Sequence, residues 1–247
     1  MNTAPPAPVH AVDRPELRER LDGALGAPLT LIVAPAGSGK TVLLSQWVAS
    51  RPDLHVVWID VEPVDDEPTQ FAKHLLDGLA TIAPTAPSLG HVLSVGGGGL
   101  GRSFLESLET LLTEHPGVVL VFDDLHNLRN REIINDLWWF AEHLPHGAHI
   151  VFSSRRDLRL ALSRQRLQYA LLELRQAELA FDADVAGKVL LRIAGAPPTD
   201  AMLSSIMHST EGWAAGVQLT AISLRHQDDP EFFARQLAGT DRLISEY

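Results

Sequence analysis

Apolar residues recur along this chain in two alternating rhythms. Short, mainly apolar runs occur at Leu29 to Val33, Leu54 to Ile59, Val118 to Phe122 and Ala148 to Phe152, and between them apolar residues return every three or four positions. Mainly apolar runs of this length fit strands covered on both faces, whereas the wider spacing fits helices with one buried side. Leu17, Leu21 and Leu25 mark a helix ahead of the first strand. Val42, Leu43, Leu44, Trp47 and Val48 mark another behind it, ended by Arg51-Pro52. Phe71, Leu75, Leu76 and Leu79 define a third, begun near Pro68 after the acidic loop Asp65-Asp66-Glu67. Phe104, Leu105, Leu108, Leu111 and Leu112 define a fourth. Arg131 to Leu144 forms a fifth, burying Ile133, Ile134, Leu137, Trp138 and Ala141. Leu171 to Leu174 reads as a short fifth strand.

Beyond that strand the pattern turns helical throughout. The segments are Ala183 to Ala194 with Asp182 as N-cap, Asp200 to His208, and Gly212 to Leu224. The order predicts an α/β fold, a five-stranded, mainly parallel sheet flanked by helices over residues 1–177, followed by a small helical subdomain over 178–247. No internal repeat is present. Pro84 to Gly101 carries prolines and the run Gly96 to Gly99 but no periodicity, and it is predicted to be a mobile loop. A second phosphate cradle is rejected there, because no Lys-Ser/Thr pair follows at the right spacing.

The first strand leads into Ala34 to Thr41, A-P-A-G-S-G-K-T, which opens the next helix. Glycines in such a turn let several backbone N–H groups face one anion, and the helix N-terminus adds its positive end. The pattern G-x-x-x-x-G-K-[ST] therefore predicts a P-loop NTPase that binds ATP or GTP. Pro35, Ala36, Gly37, Ser38, Gly39, Lys40 and Thr41, with Val42 behind them, hold the phosphates; Lys40 supplies an ammonium and the Thr41 hydroxyl a Mg²⁺ ligand. Ala34 stands where the motif has its first glycine. Pro35 favours an extended residue before it, so position 34 is expected to end the strand with negative φ. The dinucleotide pattern G-x-G-x-x-G is excluded because its third glycine would fall on Val42.

Val118 to Asp124, V-V-L-V-F-D-D, supplies the matching acidic strand. Ligands of open α/β sheets bind at the carboxyl ends of the strands, which places Asp123 to hold Mg²⁺ and Asp124 to orient or deprotonate a water. Ala148 to Phe152 ends in Ser153-Ser154-Arg155-Arg156, so Arg155 is a candidate γ-phosphate sensor. His143, His146 and His149 straddle a Pro-Gly turn and are read as solvated loop histidines rather than metal ligands.

Charge and composition narrow the rest. Lys and Arg number 20 against 31 Asp and Glu, a net charge of −11 that speaks against this segment wrapping nucleic acid itself. There is no cysteine, which removes disulfide and thiol chemistry. No signal peptide and no membrane-length apolar stretch is present, and the expected location is the cytoplasm.

Four phrases in order, A-P-A-G-S-G-K-T-V-L-L-S-Q-W, F-D-D-L-H, S-S-R-R-D and T-E-G-W-A-A-G-V-Q-L, resemble the N-terminal part of MalT-like, LuxR-type bacterial transcription activators of the STAND class of ATPases. The resemblance implies ATP/ADP and Mg²⁺ as cofactors, with Lys40, Asp123, Asp124 and the sensor Arg155 serving the reaction. It also implies that Val12 to Arg14 enter beneath the adenine, and that Gly212 to Leu219 close over the nucleotide. Trp213 has core packing between subdomains as an equal alternative. The implied partners are an inducer of unknown identity, nucleotide-dependent self-association, and DNA through a C-terminal domain absent from this chain. Asp241 to Tyr247 lies where a winged helix is expected to begin, so the chain is expected to be a piece of a longer protein. A non-hydrolysing, nucleotide-gated interaction module stays open beside a slow regulatory ATPase. A metabolic kinase or transporter motor lacks an acceptor pocket or a transporter signature.

Overall fold

A computed structural model describes residues 3–93, 98–158 and 171–225. Its centre is one sheet of five strands, β1 (Leu29–Val33), β2 (His55–Asp60), β3 (Val118–Asp123), β4 (His149–Ser154) and β5 (Leu171–Arg175), in the order β2-β3-β4-β1-β5. Every pairing is parallel. Burial follows position in that order. β1, β3 and β4 are interior strands and buried at every residue, whereas the edge strands β2 and β5 are exposed at their ends or only half-buried. That is why the interior strands read as mainly apolar runs.

Alternation along the strands sorts side chains into two layers. Val118, Leu120 and Phe122 with Ile150 and Phe152 face α3 (Pro68–Leu79), α4 (Arg102–Glu114) and α5 (Arg131–Glu142). Val119, Val121, Val151 and Ile32 face α1 (Pro15–Gly23) and α2 (Lys40–Ser50). Trp47 of α2 is fully buried, and its indole N–H donates to Asp22 Oδ1 at 2.9 Å, tying α2 to the end of α1. α6 (Gln176–Leu179) leaves the sheet and leads to α7 (Ala183–Ala194), α8 (Asp200–Thr210) and α9 (Ala214–Leu224). These last three helices share a core of their own, in which Val185, Val189, Leu190, Ile206, Val217 and Ala221 pack with Val12 from the N-terminal strap. Asp182 caps α7 by accepting from Val185 N at 2.8 Å, as the sequence predicts.

Several expectations change. The segment from Pro84 is no plain loop, because Ala86–Val92 forms a 3-10 turn. Ala86 and Leu100 are fully buried there. Ser94 to Gly97 lie outside the described residues; at the end of the segment Asp136 Oδ2 accepts from Leu100 N at 2.7 Å and Gly101 N at 3.3 Å. Those amides are already satisfied, a physical reason against a second phosphate cradle. α5 stops at Glu142, with Ile134 and Trp138 half-buried. His149 is not a solvated loop residue but the first residue of β4, 2% exposed. Its Nδ1 meets the carbonyl of Ala27 at 2.6 Å, so Nδ1 carries the proton and Nε2 accepts from Thr30 Oγ1 at 3.0 Å. Burial lowers its pKa. Among the described residues no cluster of His, Cys, Asp and Glu is arranged to hold a metal, and no helix is long and apolar enough to cross a membrane. Asp241 to Tyr247 lie outside the described residues.

Candidate functional site

The carboxyl ends of β1, β3 and β4 converge on the start of α2. Gly37 and Gly39 adopt left-handed φ of 69° and 85°, and Ala34 does not, which agrees with the strand-ending role expected of it. Gly39 is the N-cap of α2 and offers no side chain to the first turn, leaving the helix dipole open at this end. Lys40 is buried, and its Nζ donates to the carbonyls of Ala34 at 2.8 Å and Pro35 at 3.0 Å. Burial lowers the Lys40 pKa, with Asp124 and Asp123 opposing and Arg155 adding to the shift. The Ser38 hydroxyl is buried without a hydrogen-bond partner inside the same loop.

Register brings the acidic strand alongside. Asp123 lies on the same sheet face as Val119 and Val121, and therefore under α2. Its Oδ2 accepts from Thr41 Oγ1 at 2.7 Å, while its Oδ1 accepts from the backbone of Asp124 at 3.0 Å. Hydroxyl and carboxylate oxygens suit Mg²⁺, which seldom uses an all-protein cage. Asp124 is non-glycine with a left-handed φ of 51°. Its two oxygens face different groups: Oδ2 lies 3.6 Å from Arg155 Nη2 and Oδ1 lies 3.5 Å from His126 Nδ1. Asp60, in register with Asp123 on the neighbouring strand, has its pKa raised by burial and then by Asp123 and Asp124.

A cavity of about 300 Å³ opens from this corner toward the helical end. Gly37 to Thr41, Asp124 and Arg155 line its polar end; Val12, Leu17, Leu179, Phe181, Val189 and Ile193 give it an apolar end. Pro35 is absent from the lining, while Ala36, Val42 and Arg14 belong to it. Arg14 is 9% exposed, and its guanidinium is turned onto the carbonyls of Leu179 at 3.0 Å and of Glu178 and Ala180 at 3.4 Å, 5.6 Å over the Phe181 ring. Its side chain is thus committed to fastening the N-terminal strap onto the end of α6. Gln46 supports the strap from α2, donating to Val12 O at 3.2 Å.

The start of α9 closes the loop from outside. Trp213 Nε1 donates to Ala36 O at 2.9 Å, and Ala215 N donates to Gly37 O at 2.9 Å. A β-carbon on Gly37 would fall 2.5 Å from that of Ala215. Trp213 is therefore packed between the two parts of the chain, in contact with the loop itself. Asp60, His126, Phe181 and the apolar residues of α7 escape sequence reasoning. For Asp60 a signal exists, since Leu54 to Ile59 is also an apolar run followed by aspartate. The α7 residues come from far along the chain and carry only the mark of a helix core.

A parallel sheet ordered β2-β3-β4-β1-β5, with a glycine-rich loop on β1 and aspartate on β3, defines a P-loop NTPase fold. A family model described as AAA domain matches residues 24–162, and the chain belongs to that family. Serine/threonine-protein kinase PknK of Mycobacterium tuberculosis is 32% identical over 240 residues, covering 96% of this chain and 22% of the kinase. The Mycobacterium bovis protein of that name matches to the same extent, so this chain spans about a fifth of the length of these relatives. A signal transduction ATPase with numerous domains and a tetratricopeptide-repeat sensor, from Pyrococcus horikoshii, superposes with a TM-score of 0.64 at 15% identity, over 95% of this chain and 33% of that one. A Walker-type ATPase of Pyrococcus abyssi gives 0.60 at 16% identity, over 95% and 73%. At these identities the likeness concerns the fold.

Proposed function

We propose that this chain is the ATP-binding switch of a larger regulatory protein, with slow Mg²⁺-dependent hydrolysis that resets it. The observation that carries the reading is the 2.7 Å hydrogen bond to Asp123 from Thr41, a residue of the cavity lining, which joins the phosphate-loop helix to the acidic strand. In this reading the amides of Pro35 to Thr41 and the Lys40 ammonium grip the phosphates, with Lys40 exchanging its two loop carbonyls for phosphate oxygens. Thr41 and Asp123 hold Mg²⁺, which when bound neutralises charge on the β- and γ-phosphates. Asp124 orients the attacking water, and Arg155 turns from Asp124 to the γ-phosphate. The apolar end beside Val12 takes the base, with Arg14 fixing the strap beneath it. Residues 1–177 form the nucleotide-binding part and 178–247 a helical closing part.

The resemblance to LuxR-type activators supports a switch in which ADP favours the closed form, while ATP and an inducer favour an open, self-associating one. DNA would be met only through a domain outside this chain, and the location is cytoplasmic. Reversing a 1:99 population takes about 5.5 kcal/mol of differential binding, within reach of charge-assisted contacts to one extra phosphate. The likeness to a kinase along nearly the whole chain supports a module shared by proteins with different output ends. The test is phosphate release with Mg²⁺ in wild type and in Asp124→Asn. Turnover lost with ATP binding kept supports the reading; binding without turnover in wild type, under every activating condition, defeats it. The engagement of Asp124 by both Arg155 and His126 favours one other reading, a non-hydrolysing interaction module. It would show nucleotide-dependent self-association with ATP recovered intact.

A further inference from the structure

Four buried side-chain polar atoms lack a hydrogen-bond partner among the described residues, and one of them lies inside the sheet. It is the hydroxyl of Ser153, next to last in β4 and 0% exposed. The other polar side chains buried in the strands are matched: Thr30 meets His149, Asp123 accepts from Thr41, and Ser154 Oγ donates to Arg156 O at 2.7 Å. A buried hydroxyl without a partner is uncommon in native folds and carries a desolvation cost, so Ser153 needs a physical reason.

Alternation puts Ser153 on the face of Val151, two residues before it, and therefore under α2. Ile32 is its in-register partner on β1, and the pairing of Phe152 with Phe122, one residue earlier, brings Asp123 beside it on β3. Neighbouring strands lie about 4.8 Å apart, so the hydroxyl has one apolar flank and one carboxylate flank. Asp123 has capacity to spare. Its Oδ2 accepts from Thr41 Oγ1 at 2.7 Å and its Oδ1 from Asp124 N at 3.0 Å, whereas a carboxylate offers about four acceptor positions.

We infer that Ser153 is a positioning residue for Asp123, its hydroxyl donating to the carboxylate once Thr41 turns its own oxygen to Mg²⁺. Asp123 can meet it, because the carboxylate torsion is broad and roughly two-fold. The Thr41 hydroxyl then serves both the metal and Asp123, and a second donor keeps the carboxylate from swinging. The Asp124 amide belongs to the same backbone as Asp123 and fixes no direction across the sheet. Ser153 does, from an interior strand paired on both sides. A hydroxyl that has no bond to break is recruited at little cost.

This role rests on the proposed Mg²⁺ at Thr41 and Asp123, and the experiment keeps the two apart. ATP affinity is measured by calorimetric titration with Mg²⁺ and with EDTA, alongside thermal melting without nucleotide, for wild type, Ser153→Ala and Ser153→Thr. In Ser153→Ala the gain in affinity given by Mg²⁺ should shrink about tenfold, the worth of one hydrogen bond to a charged group, while affinity in EDTA stays within twofold. Its melting point without nucleotide should be no lower than that of wild type, because alanine removes a buried hydroxyl that bonds to nothing. Ser153→Thr keeps the hydroxyl and should recover most of the Mg²⁺ gain. A gain unchanged in Ser153→Ala overturns the inference and leaves the metal reading standing. So does a lower melting point or a failure to fold, which would mean that the hydroxyl already holds the sheet together. A loss shared equally by Ser153→Thr counts the same, since it would report packing rather than the donor. Wild-type affinity indifferent to Mg²⁺ removes both readings.

Discussion

Replacing Gly37 by alanine is the sharpest perturbation of the contact between the phosphate loop and α9. A side chain at φ 69° costs about 1–2 kcal/mol in backbone strain alone. Its β-carbon would also stand 2.5 Å from Ala215 Cβ and 3.1 Å from Trp213 Cζ2. Forcing such an overlap into packed surroundings costs about 1–3 kcal/mol. The alternative is to let α9 withdraw, giving up the hydrogen bonds from Trp213 to Ala36 and from Ala215 to Gly37, each worth about 0.5–1.5 kcal/mol net. The two routes cost about the same, so a substantial fraction of Gly37→Ala molecules should undock the helix. Amide hydrogen exchange at Ala215 and tryptophan fluorescence should report this. Adding Ala215→Gly removes the closest contact and should restore protection, less about 1 kcal/mol for glycine inside a helix. If Ala215 exchanges as slowly in Gly37→Ala as in wild type, or the second change restores nothing, the docking geometry argued above is wrong.

Lys40→Ala should fold yet lose stabilisation by ATP; at a hundredfold excess over Kd the wild type should gain about 2.7 kcal/mol, read by thermal melting, and an equal gain in the variant would contradict the assigned grip. Thr41→Val removes the hydroxyl that meets Asp123 and should abolish the Mg²⁺ dependence of nucleotide affinity, measured by titration with and without the metal. His149, with its pKa lowered from 6.5 by burial, contributes stability that is present above pH 6.5 and lost as pH falls toward its folded value. His74, raised from 6.5 chiefly by its hydrogen bond to Asp65, acts oppositely, its contribution being full below pH 6.5 and lost as pH rises through the raised value. Denaturant midpoints between pH 7.5 and 5.5 should therefore fall less steeply in His149→Asn than in wild type, and an unchanged slope would exclude His149 as the source.

The sheet was legible because its interior strands are covered on both sides and admit few polar residues, Thr30 and His149 among them, which leaves short, mainly apolar runs in the chain. The polar end of the site was legible for a related reason: Gly37, Gly39, Lys40 and Thr41 are neighbours in sequence, and Asp123 ends one strand with Asp124 directly after it. The apolar end was not. Phe181, Val189 and Ile193 reach the cavity only because β5 and α6 return the chain to it, and nothing in helical spacing says which side of α7 is turned inward. His149 was misread for a complementary reason. Beside Pro145 and Gly147 it looks like part of a turn, and only the pairing of β4 with β1 supplies the Thr30 hydroxyl that makes its burial tolerable. Ala86–Val92 shows the same limit, since a 3-10 turn with two prolines' worth of irregularity nearby leaves no rhythm to detect.

The carbonyl of Gly37 completes the first turn of α9, doing for that helix what a side-chain cap does for α7. The glycine-rich loop and the last helix of the described chain thus share one structural part. Neither side can change shape in heredity without the other: a bulkier residue at position 37 asks for a smaller one at 215, and a lost indole at 213 leaves the Ala36 carbonyl facing a gap. Covariation between these distant stretches is what descent under that constraint would leave behind.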